Sequence, residues 1–480
     1  MADAQSYDWR NQRGPVGERP PRIGGSWNPI ASNGWGMLEF LQFREAAGIP
    51  LVVLDLSVGI PSQLDGKCGR PANSPEQAAD LAEYLIATSP TSAMAKLRIA
   101  DGHPAPYQVK GLIFEVSNEC PSSSEYFLGS LNETIAAVVS RVKGVSPGSV
   151  SLLKFASMGG YAWNTSALGA NRMLESIAAH WATQDGIEVL SDQHLNDETF
   201  NVTAAVAASY LAMQGDLRSR GSPLRMFIGE EDCSRDKRMP NDGYCHSHTR
   251  ALSHALLSQT TARLGADFII GQCPCDQFGA SGLQEVWPQA QVEFSNRGVL
   301  EQPPALASRM IAQQYLMNNA SMLHVLDSSP LAITDTDDNN QILDLLFLAS
   351  PSNTTRMATA SGTLMLRVVN TRLSAATVDV SVRGEAAHCK LLAEGLPFDC
   401  VTMACADQAV NSWSSPGLCR PKPLSVVPIF TSDHSGTTHA QRSCGVLAVS
   451  VQPLSFTVCT AGGYKNTRLE KQTTEETKII

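Results

Sequence analysis

The sequence predicts an α/β domain with the architecture of a (β/α)8 TIM barrel that lacks its first two strands, followed by a C-terminal antiparallel β-sandwich. Short apolar runs alternate with helical patterns through the first 320 residues, which is typical of a parallel sheet. Six strand–helix units can be counted there, whereas a closed barrel needs eight. After about residue 320, short strands follow one another without helices between them, which indicates a sandwich.

The first regular elements follow a stretch, residues 1–35, that shows no periodicity. A helix is predicted over 37–47, because apolar side chains recur on one side and Gly48 suits the position after a helix end. The run 50–57 is apolar almost throughout, which indicates a strand buried on both faces. The segment Ser74-Pro75-Glu76-Gln77 combines an N-cap, an N1 proline and a capping-box glutamine, so it predicts the start of the next helix.

The same alternation continues along the chain. Open and closed sheets both fit it, but no Gly-x-Gly-x-x-Gly follows any strand, which disfavours a dinucleotide-binding open sheet. The simplest expectation is therefore a chain that begins inside a barrel, after its first two strands. Further strands are predicted near 112–118, 150–156, 187–192, 224–230 and 266–271, and helices near 124–142, 167–182, 200–214, 246–264 and 303–318.

Three regions follow from these patterns. The catalytic barrel domain is predicted over 1–320 and the β-sandwich over 321–464. Residues 465–480 are charged and rich in threonine, which is typical of a disordered tail. Sandwich strands are predicted at 345–349, 363–369, 377–382, 424–428 and 445–451.

Composition narrows the possible partners. The 480 residues carry a net charge of −10 with a pI near 5.5, which argues against nucleic acid or an anionic membrane as partner. The longest apolar run is too short to cross a bilayer. The first ten residues have neither a basic region nor an apolar one, so no signal peptide is visible.

Cysteines and glycosylation tripeptides nevertheless favour an oxidising compartment. Six of the 12 cysteines lie in the last fifth of the chain, which resembles a disulfide set more than reduced thiols. We therefore expect a secreted or vacuolar/lysosomal glycoprotein if the full-length protein carries a signal peptide. The six cysteines are Cys389, Cys400, Cys405, Cys419, Cys444 and Cys459, and the tripeptides begin at Asn132, Asn164, Asn201, Asn319 and Asn353.

Two glutamates stand at the ends of predicted strands. The apolar run 111–117 leads into Asn118 and Glu119, and the run 224–229 leads into Glu230. Barrel enzymes keep their chemistry at these C-terminal strand ends. A retaining glycosidase needs two carboxyl groups ~5–5.5 Å apart, one as nucleophile and one as acid/base. A helix-cap or solvated-loop role is the more common one for either glutamate taken alone.

The two strands are three steps apart in the predicted series. In an open sheet, three steps of ~4.8 Å would leave the glutamates about 14 Å apart. In a closed eight-stranded barrel, their ends lie roughly across the mouth from one another. Only closure makes Glu119 and Glu230 a catalytic pair, and Asn118 would then be placed to hydrogen-bond a sugar hydroxyl beside the acid.

Several segments resemble glycoside hydrolase family 51, the α-L-arabinofuranosidases. Residues 7–20 are similar to the family's tryptophan-containing loop with its Gly-Pro and Arg-Pro, and residues 36–43 to its helix carrying Glu-Phe-Leu. Residues 102–110, read as Gly-His-Pro-Ala-Pro-Tyr-Gln-Val-Lys, match the run that precedes the family's Asn-Glu. The resemblance implies that Asn118 contacts substrate and that Glu119 is the acid/base.

The resemblance continues at two later strand ends. Asp192-Gln193-His194 is similar to the family's Asp-x-His, which implies that His194 lies in the sugar pocket. Residues 227–230 resemble the segment that carries the nucleophile, which implies this role for Glu230 rather than for Glu231. From position alone, Asp55 near the end of the run 50–57 could face the barrel mouth and bind substrate, with a loop or cap role as the alternative.

The two strand-end glutamates predict a retaining glycosidase. The resemblance implies that it releases terminal α-L-arabinofuranosyl residues from arabinan, arabinoxylan or arabinogalactan. The chemistry requires no cofactor. We predict no metal site, because the clusters at 245–248 and 273–275 lack a partner pair at metal-ligand spacing. The alternatives are a catalytically impaired carbohydrate-binding barrel and another retaining glycosidase on the same type of barrel.

Overall fold

The structure is a computed structural model of the chain, and it describes part of the sequence. The described residues are 8–23, 30–31, 33–49, 51–57, 74–107, 111–117, 124–146, 153–158, 167–183, 187–196, 212, 214–232, 245–265, 269–271, 275–277, 291–295, 298–317, 324–325, 335–336, 342–349, 364–384, 398–406, 409, 411, 414–425 and 442–461.

A six-stranded sheet organises the first half of the chain, and its strand order follows the sequence. Two short strands, β1 (Arg22–Ile23) and β2 (Ile30–Ala31), pair antiparallel ahead of it. The pairings from β3 to β6 are parallel. The six strands are β3 (Leu51–Ser57), β4 (Gly111–Ser117), β5 (Leu153–Met158), β6 (Glu188–Asn196), β7 (Arg225–Asp232) and β8 (Ile269–Gly271).

These six strands confirm the strands that the apolar runs predict. The prediction succeeds because a strand covered on both faces is apolar at nearly every position, which few other local structures require. Among the described side chains, Val52, Leu153 and Phe155 are buried, while Leu54 and Lys154 are half-buried.

Five helices can be bounded within the described residues up to the end of β5 and the helix after it. Four of them match predicted helices, and the predicted capping box is present, since Ser74 Oγ accepts from Gln77 N at 3.2 Å and Gln77 Oε1 accepts from Ser74 N at 2.7 Å. The helix α3 was not predicted. The helices are α1 (Met37–Ala46), α2 (Pro75–Ile86), α3 (Ala93–Ala100), α4 (Ser124–Val145) and α5 (Ala167–Ala182).

Two further helices and a three-stranded sheet follow β7, with the first of the two helices ahead of β8. The helices are α6 (His248–Leu264) and α7 (Pro303–Met317), both at predicted positions. Between them, β10 (Val292–Ser295) pairs antiparallel with β11 (Gly298–Glu301) and parallel with β9 (Cys275–Gln277). Of the predicted helix near 200–214, most residues lie outside the described ones, although residues 214–219 are helical.

The C-terminal part forms two antiparallel sheets, which confirms the antiparallel architecture predicted there. The larger sheet has the order β12-β14-β15-β20-β17-β18 with β13 also on β14, and β16 pairs with β19. All five predicted strands are present, whereas the sequence does not predict the two-residue strands β12 and β13 or the longer strands β17 and β20. The strands are β12 (His324–Val325), β13 (Asp335–Thr336), β14 (Ile342–Ala349), β15 (Leu364–Asn370), β16 (Ala376–Gly384), β17 (Phe398–Ala404), β18 (Lys422–Ser425), β19 (Arg442–Val451) and β20 (Ser455–Ala461).

The helices α6 and α7 share one hydrophobic core with the larger antiparallel sheet. Leu252 and Met310 from the helices join Val369, Met403 and Phe456 from β15, β17 and β20. Each of these side chains is at most 3% exposed, so the cluster is closed to water. Burial of this kind is the main source of stability in the sheet region.

The chain divides into two compact units. The first contains Met1–Leu195, Tyr210–Glu230 and Ala266–Ile270, and the second contains Asn196–Ser209, Glu231–Gly265 and Gly271–Ile480. The predicted domain limits at residues 320 and 464 stay predictions. No described helix is both long and apolar enough to cross a membrane.

Candidate active site

The strands bring two of the predicted site residues to one edge of the six-stranded sheet. Asp55 lies on β3 and His194 on β6, each near the C-terminal end of its strand. The strands β3 to β6 are parallel, so their C-terminal ends lie along a common edge. Glu230 lies on β7, the neighbour of β6 in the same sheet.

The other two predicted residues follow the end of β4. That strand ends at Ser117, and Asn118 and Glu119, the next two residues in sequence, lie outside the described residues. The side chains of Asp55, His194 and Glu230 are likewise outside them, although their backbone positions are described. The roles of all five residues stay predictions.

The strand pairing shows which residues lie opposite one another near the predicted site. Asp55 lies opposite Glu115, and Ser117 lies opposite Met158. The strands β4 and β7 are separated by β5 and β6, which confirms the predicted three steps. Within the described residues, no pairing joins β3 to β8, so a catalytic distance of ~5–5.5 Å between Glu119 and Glu230 also stays a prediction.

The tryptophan-containing segment packs on α2. The Trp9 side chain is 0% exposed, and its Nε1 donates to the carbonyl oxygen of Gln77 at 3.2 Å. Its ring lies 5.3 Å from the ring of Tyr84. The guanidinium carbon of Arg10 lies 5.2 Å from the Trp9 ring, which adds a cation–π contact. A polar N-terminal segment is thereby held to the helix through one buried aromatic side chain.

A bidentate ion pair extends this attachment. Arg13 donates to Asp101 through Nε at 2.6 Å and through Nη2 at 3.1 Å, and the Tyr84 hydroxyl donates to the same carboxylate at 2.8 Å. Burial, followed by the neighbouring Tyr107 and Asp101, raises the pKa of Tyr84. The phenol therefore stays protonated and remains a donor to Asp101, which lies directly after α3.

Arg98 ties α2, α3 and the following turn together. Its side chain is 1% exposed, and it donates to the carbonyl oxygens of Tyr84 at 2.7 Å, Ala87 at 2.9 Å and His103 at 3.2 Å. Burial lowers the pKa of this guanidinium. The side chain satisfies carbonyls at the end of α2 that the helix itself leaves without an amide donor.

The segment that leads into β4 is also held in place. The His103 ring stacks on the Tyr107 ring at 3.9 Å, and His103 Nε2 lies 3.0 Å from a carboxylate oxygen of Glu45. Burial raises the pKa of Tyr107 to about 12, so its phenol is neutral. The backbone amide of Tyr107 donates to Leu85 O at 2.9 Å. These contacts anchor the chain shortly before the strand that precedes Asn118 and Glu119.

An ion-pair network joins α2 to α4. Arg141 donates to Asp80 at 2.5 Å and to Glu83 at 2.8 Å, and it also contacts Glu76. Arg10 reaches Asp80 from the other side at 2.5 Å. Burial is the largest single effect on the pKa of Arg141 and lowers it, but the hydrogen bonds that Arg141 donates to Glu83 and Asp80 outweigh burial and raise the pKa. Sequence reasoning missed this network and Arg98, since pairs this far apart leave no periodic signal.

Side chains from the N-terminal segment also cap α1. Gln12 Oε1 accepts from the Met37 amide at 2.7 Å, in the place that a side-chain cap would occupy if Gly36 had one. Arg19 makes a bidentate pair with Glu39 at 2.7 and 2.9 Å. Arg19 also donates to the carbonyl of Gly14, so the segment and the helix start are linked by charge-assisted hydrogen bonds.

A methyl group at position 36 would disturb the α1 cap. A Cβ built on Gly36 would lie 2.7 Å from Gln12 Cβ and 2.8 Å from Gln12 Oε1, so the Gln12 side chain would have to move. We expect Gly36→Ala to cost about 1–3 kcal/mol of unfolding free energy, through overpacking and loss of the cap. Thermal unfolding of Gly36→Ala beside Gly17→Ala measures this, because a Cβ on Gly17 would meet nothing within 4 Å. Equal melting temperatures would contradict it.

Acid should weaken the contact between Arg19 and Glu39. The hydrogen bond from Arg19 lowers the pKa of Glu39 below its usual range, in spite of burial. A carboxyl group whose pKa is lowered by folding stabilises the fold above its unfolded pKa, and this contribution is lost as the pH falls through the folded value. Glu39→Gln should therefore cost about 1.5–3 kcal/mol at pH 7 and much less at pH 3. Urea unfolding at both values tests this, and an equal cost at both would refute it.

Comparisons with known proteins come from a family model and from solved structures. Residues 2–185 match the model described as the alpha-L-arabinofuranosidase 1 domain. Among solved structures, the GH51 arabinofuranosidase from Xanthomonas axonopodis pv. citri is 17% identical with a TM-score of 0.61. The family 51 alpha-L-arabinofuranosidase from Bifidobacterium longum is 14% identical with a TM-score of 0.64. The thermostable GH51 alpha-L-arabinofuranosidase from Thermotoga petrophila RKU-1 is 14% identical with a TM-score of 0.60.

Each of these three alignments covers 96% of this chain and 86% of the other one. No curated protein sequence matches the chain. At such low identity, the structural similarity establishes the fold, and it confirms the predicted barrel class with an antiparallel sheet region.

Proposed function

We propose, from the match of residues 2–185 to the model of the alpha-L-arabinofuranosidase 1 domain, that the protein removes terminal α-L-arabinofuranosyl units with retention of configuration. This match confirms the predicted resemblance and supports the predicted class of enzyme, a glycosidase. The proposed substrates are arabinan, arabinoxylan, arabinogalactan and related glycans. The solved structures that share the fold support this, since each is named as an arabinofuranosidase.

One observation supports the mechanism: β4, which precedes Glu119, and β7, which carries Glu230, belong to one sheet and are separated by two strands. In this proposal the Glu119 carboxyl protonates the leaving oxygen while the Glu230 carboxylate attacks the anomeric carbon. Water, deprotonated by Glu119, then releases the sugar from Glu230. Asn118, His194 and Asp55 would hold sugar hydroxyls around the reacting carbon.

The finer details of the fold and the partner belong to the same proposal. A (β/α)8 barrel without its first two strands is supported by six strands in sequence order where a complete barrel has eight. Polysaccharide as the partner, rather than nucleic acid or an anionic membrane, is supported by the net charge of −10.

A secreted or vacuolar/lysosomal location is supported by the disulfides. Cys400 is bonded to Cys459, Cys405 is bonded to Cys419, and Cys245 is also disulfide-bonded. Among the predicted glycan acceptors, Asn132 lies within α4 and its Oδ1 accepts from Trp181 Nε1 at 2.9 Å, which disfavours a glycan there. The other four acceptors lie outside the described residues.

The proposal is tested with the full-length protein on aryl glycosides. We expect hydrolysis of aryl α-L-arabinofuranoside at least tenfold faster than of the aryl xyloside, glucoside and galactoside. Proton NMR of the first product formed should show the anomer of the substrate, because two displacements restore the configuration. Inverted product would refute the mechanism, and faster release of another sugar would favour a different retaining glycosidase. Binding of arabinan without any hydrolysis would favour the carbohydrate-binding alternative.

A further inference from the structure

Three side chains with metal-ligand chemistry meet in the second compact unit. His248 Nδ1, Cys405 Sγ and Cys419 Sγ all lie within 4.8 Å of one another, and His248 Nδ1 is 3.6 Å from Cys419 Sγ. His248 and Cys419 are both 0% exposed, while Cys405 is partly exposed. Cys405 and Cys419 are joined as a disulfide. We call these three residues the Cys2His cluster.

The imidazole of His248 is oriented for ligation. Its Nε2 lies 2.7 Å from the carbonyl oxygen of Leu454, and because a carbonyl only accepts, Nε2 carries the hydrogen. The other ring nitrogen, Nδ1, faces Cys419 Sγ at 3.6 Å. A histidine that gives its second N–H to a backbone carbonyl is the usual arrangement behind a metal-bound imidazole.

The backbone around Cys419 is held independently of the disulfide. Asn411 Oδ1 accepts from the Cys419 amide at 2.9 Å, and Asn411 Nδ2 donates to the Cys419 carbonyl at 3.1 Å. The Gln302 side chain in turn holds the main chain of Asn411. Its Nε2 donates to the Asn411 carbonyl oxygen at 3.0 Å, and its Oε1 accepts from the Asn411 amide at 3.1 Å. His248 is held at its own amide, which donates to Ala409 O at 2.9 Å. Cleavage of the disulfide would therefore leave Cys419 Sγ near the imidazole, while Cys405 stays next to the end of β17.

The difference in exposure sets the direction of thiol–disulfide exchange. A thiolate of an external dithiol can reach the partly exposed Cys405 Sγ more easily than the fully buried Cys419 Sγ. Attack forms a bond to Cys405 Sγ and breaks the bond between the two sulfurs, so Cys419 leaves as a thiolate beside His248. The second thiol of the reductant then displaces Cys405, which gives one oxidised dithiol and two protein thiols.

We propose that the Cys2His cluster is a redox-gated cation site, closed as a disulfide and open to a borderline-soft divalent ion such as Zn²⁺ after reduction by a dithiol. Two thiolates and a neutral imidazole are a ligand set that zinc prefers, and water completes a tetrahedron. Binding releases the protons of the two thiols, so no further oxidant or reductant is needed.

The test measures Zn²⁺ uptake by the full-length protein before and after reduction and removal of the dithiol. Two variants isolate the cluster. Cys405→Ser/Cys419→Ser removes two ligands, and His248→Gln keeps the disulfide and supplies an amide that can donate to Leu454 O. The matched control is Cys400→Ser/Cys459→Ser, which removes a buried disulfide between β17 and β20 that belongs to no metal-ligand group among the described residues.

We expect the reduced wild type and the control to bind one equivalent of Zn²⁺ more than Cys405→Ser/Cys419→Ser. When Co²⁺ replaces Zn²⁺, the absorption spectrum should show the d–d bands of a tetrahedral site and a thiolate charge-transfer band. Reduced His248→Gln should bind Zn²⁺ about tenfold more weakly or worse. Mutation of a residue that only hydrogen-bonds to a metal ligand already causes a loss of this size. The oxidised wild type should lack this equivalent. Equal Zn²⁺ affinity in reduced wild type and His248→Gln would overturn the proposal, and so would absence of the extra equivalent after complete reduction of Cys405–Cys419.

Discussion

Glu230→Gln is expected to lower kcat/KM for aryl α-L-arabinofuranoside on the order of 10⁴-fold or more, because no covalent glycosyl intermediate can form without the carboxylate. Glu231→Gln is the matched control, since it changes the adjacent residue of the same strand, β7. We expect the control to change kcat/KM less than about tenfold, because strand neighbours point to opposite faces. If Glu231→Gln lowered kcat/KM more than Glu230→Gln does, Glu231 and not Glu230 would be the nucleophile.

Glu119→Ala separates the acid/base from the nucleophile. The rate should fall by about 10²–10⁴ for poor leaving groups, which need a proton, and far less for a nitrophenolate, which leaves unprotonated. Added azide should restore turnover and yield an arabinosyl azide of retained configuration, because a small anion can occupy the space of the missing carboxylate. An equal loss for all leaving groups, with no azide product, would refute the acid/base role.

Arg98→Met is expected to lower the free energy of unfolding by about 3 kcal/mol or more, since three carbonyl oxygens would lose a charged donor inside the protein. The three acceptors are those of Tyr84, Ala87 and His103. Lys96→Met is the control on the same helix, because Lys96 is exposed and such a change costs at most ~0.5 kcal/mol. Urea unfolding of both variants measures the difference, and equal transition midpoints would show that Arg98 is dispensable.

The six-stranded sheet could be predicted because its signal is local. Each buried strand is an apolar run, and each run can be recognised without knowing its neighbours. The helix α3 was missed because Ala93–Ala100 is short, and buried Arg98 occupies a position that an apolar stripe would fill. The strands β17 and β20 were missed because each mixes threonine and cysteine with its apolar residues, which weakens the alternation.

The candidate site was predictable only in part. The apolar runs predict the strands that carry Asp55, His194 and Glu230. Whether two carboxyl groups meet depends on closure of the sheet, which is a long-range property that no local pattern records. The Cys2His cluster shows the same limit, since His248 and Cys419 are 171 positions apart and became neighbours only through folding.

The disulfide between Cys400 and Cys459 has a practical consequence for any limited-proteolysis experiment. It joins directly opposed residues of β17 and β20 that are 59 positions apart in the sequence. A protease that cuts once between these two positions therefore leaves two fragments that remain covalently attached. Gel electrophoresis without reductant would show a single band of full mass, and the nick would become visible only once the sample is reduced.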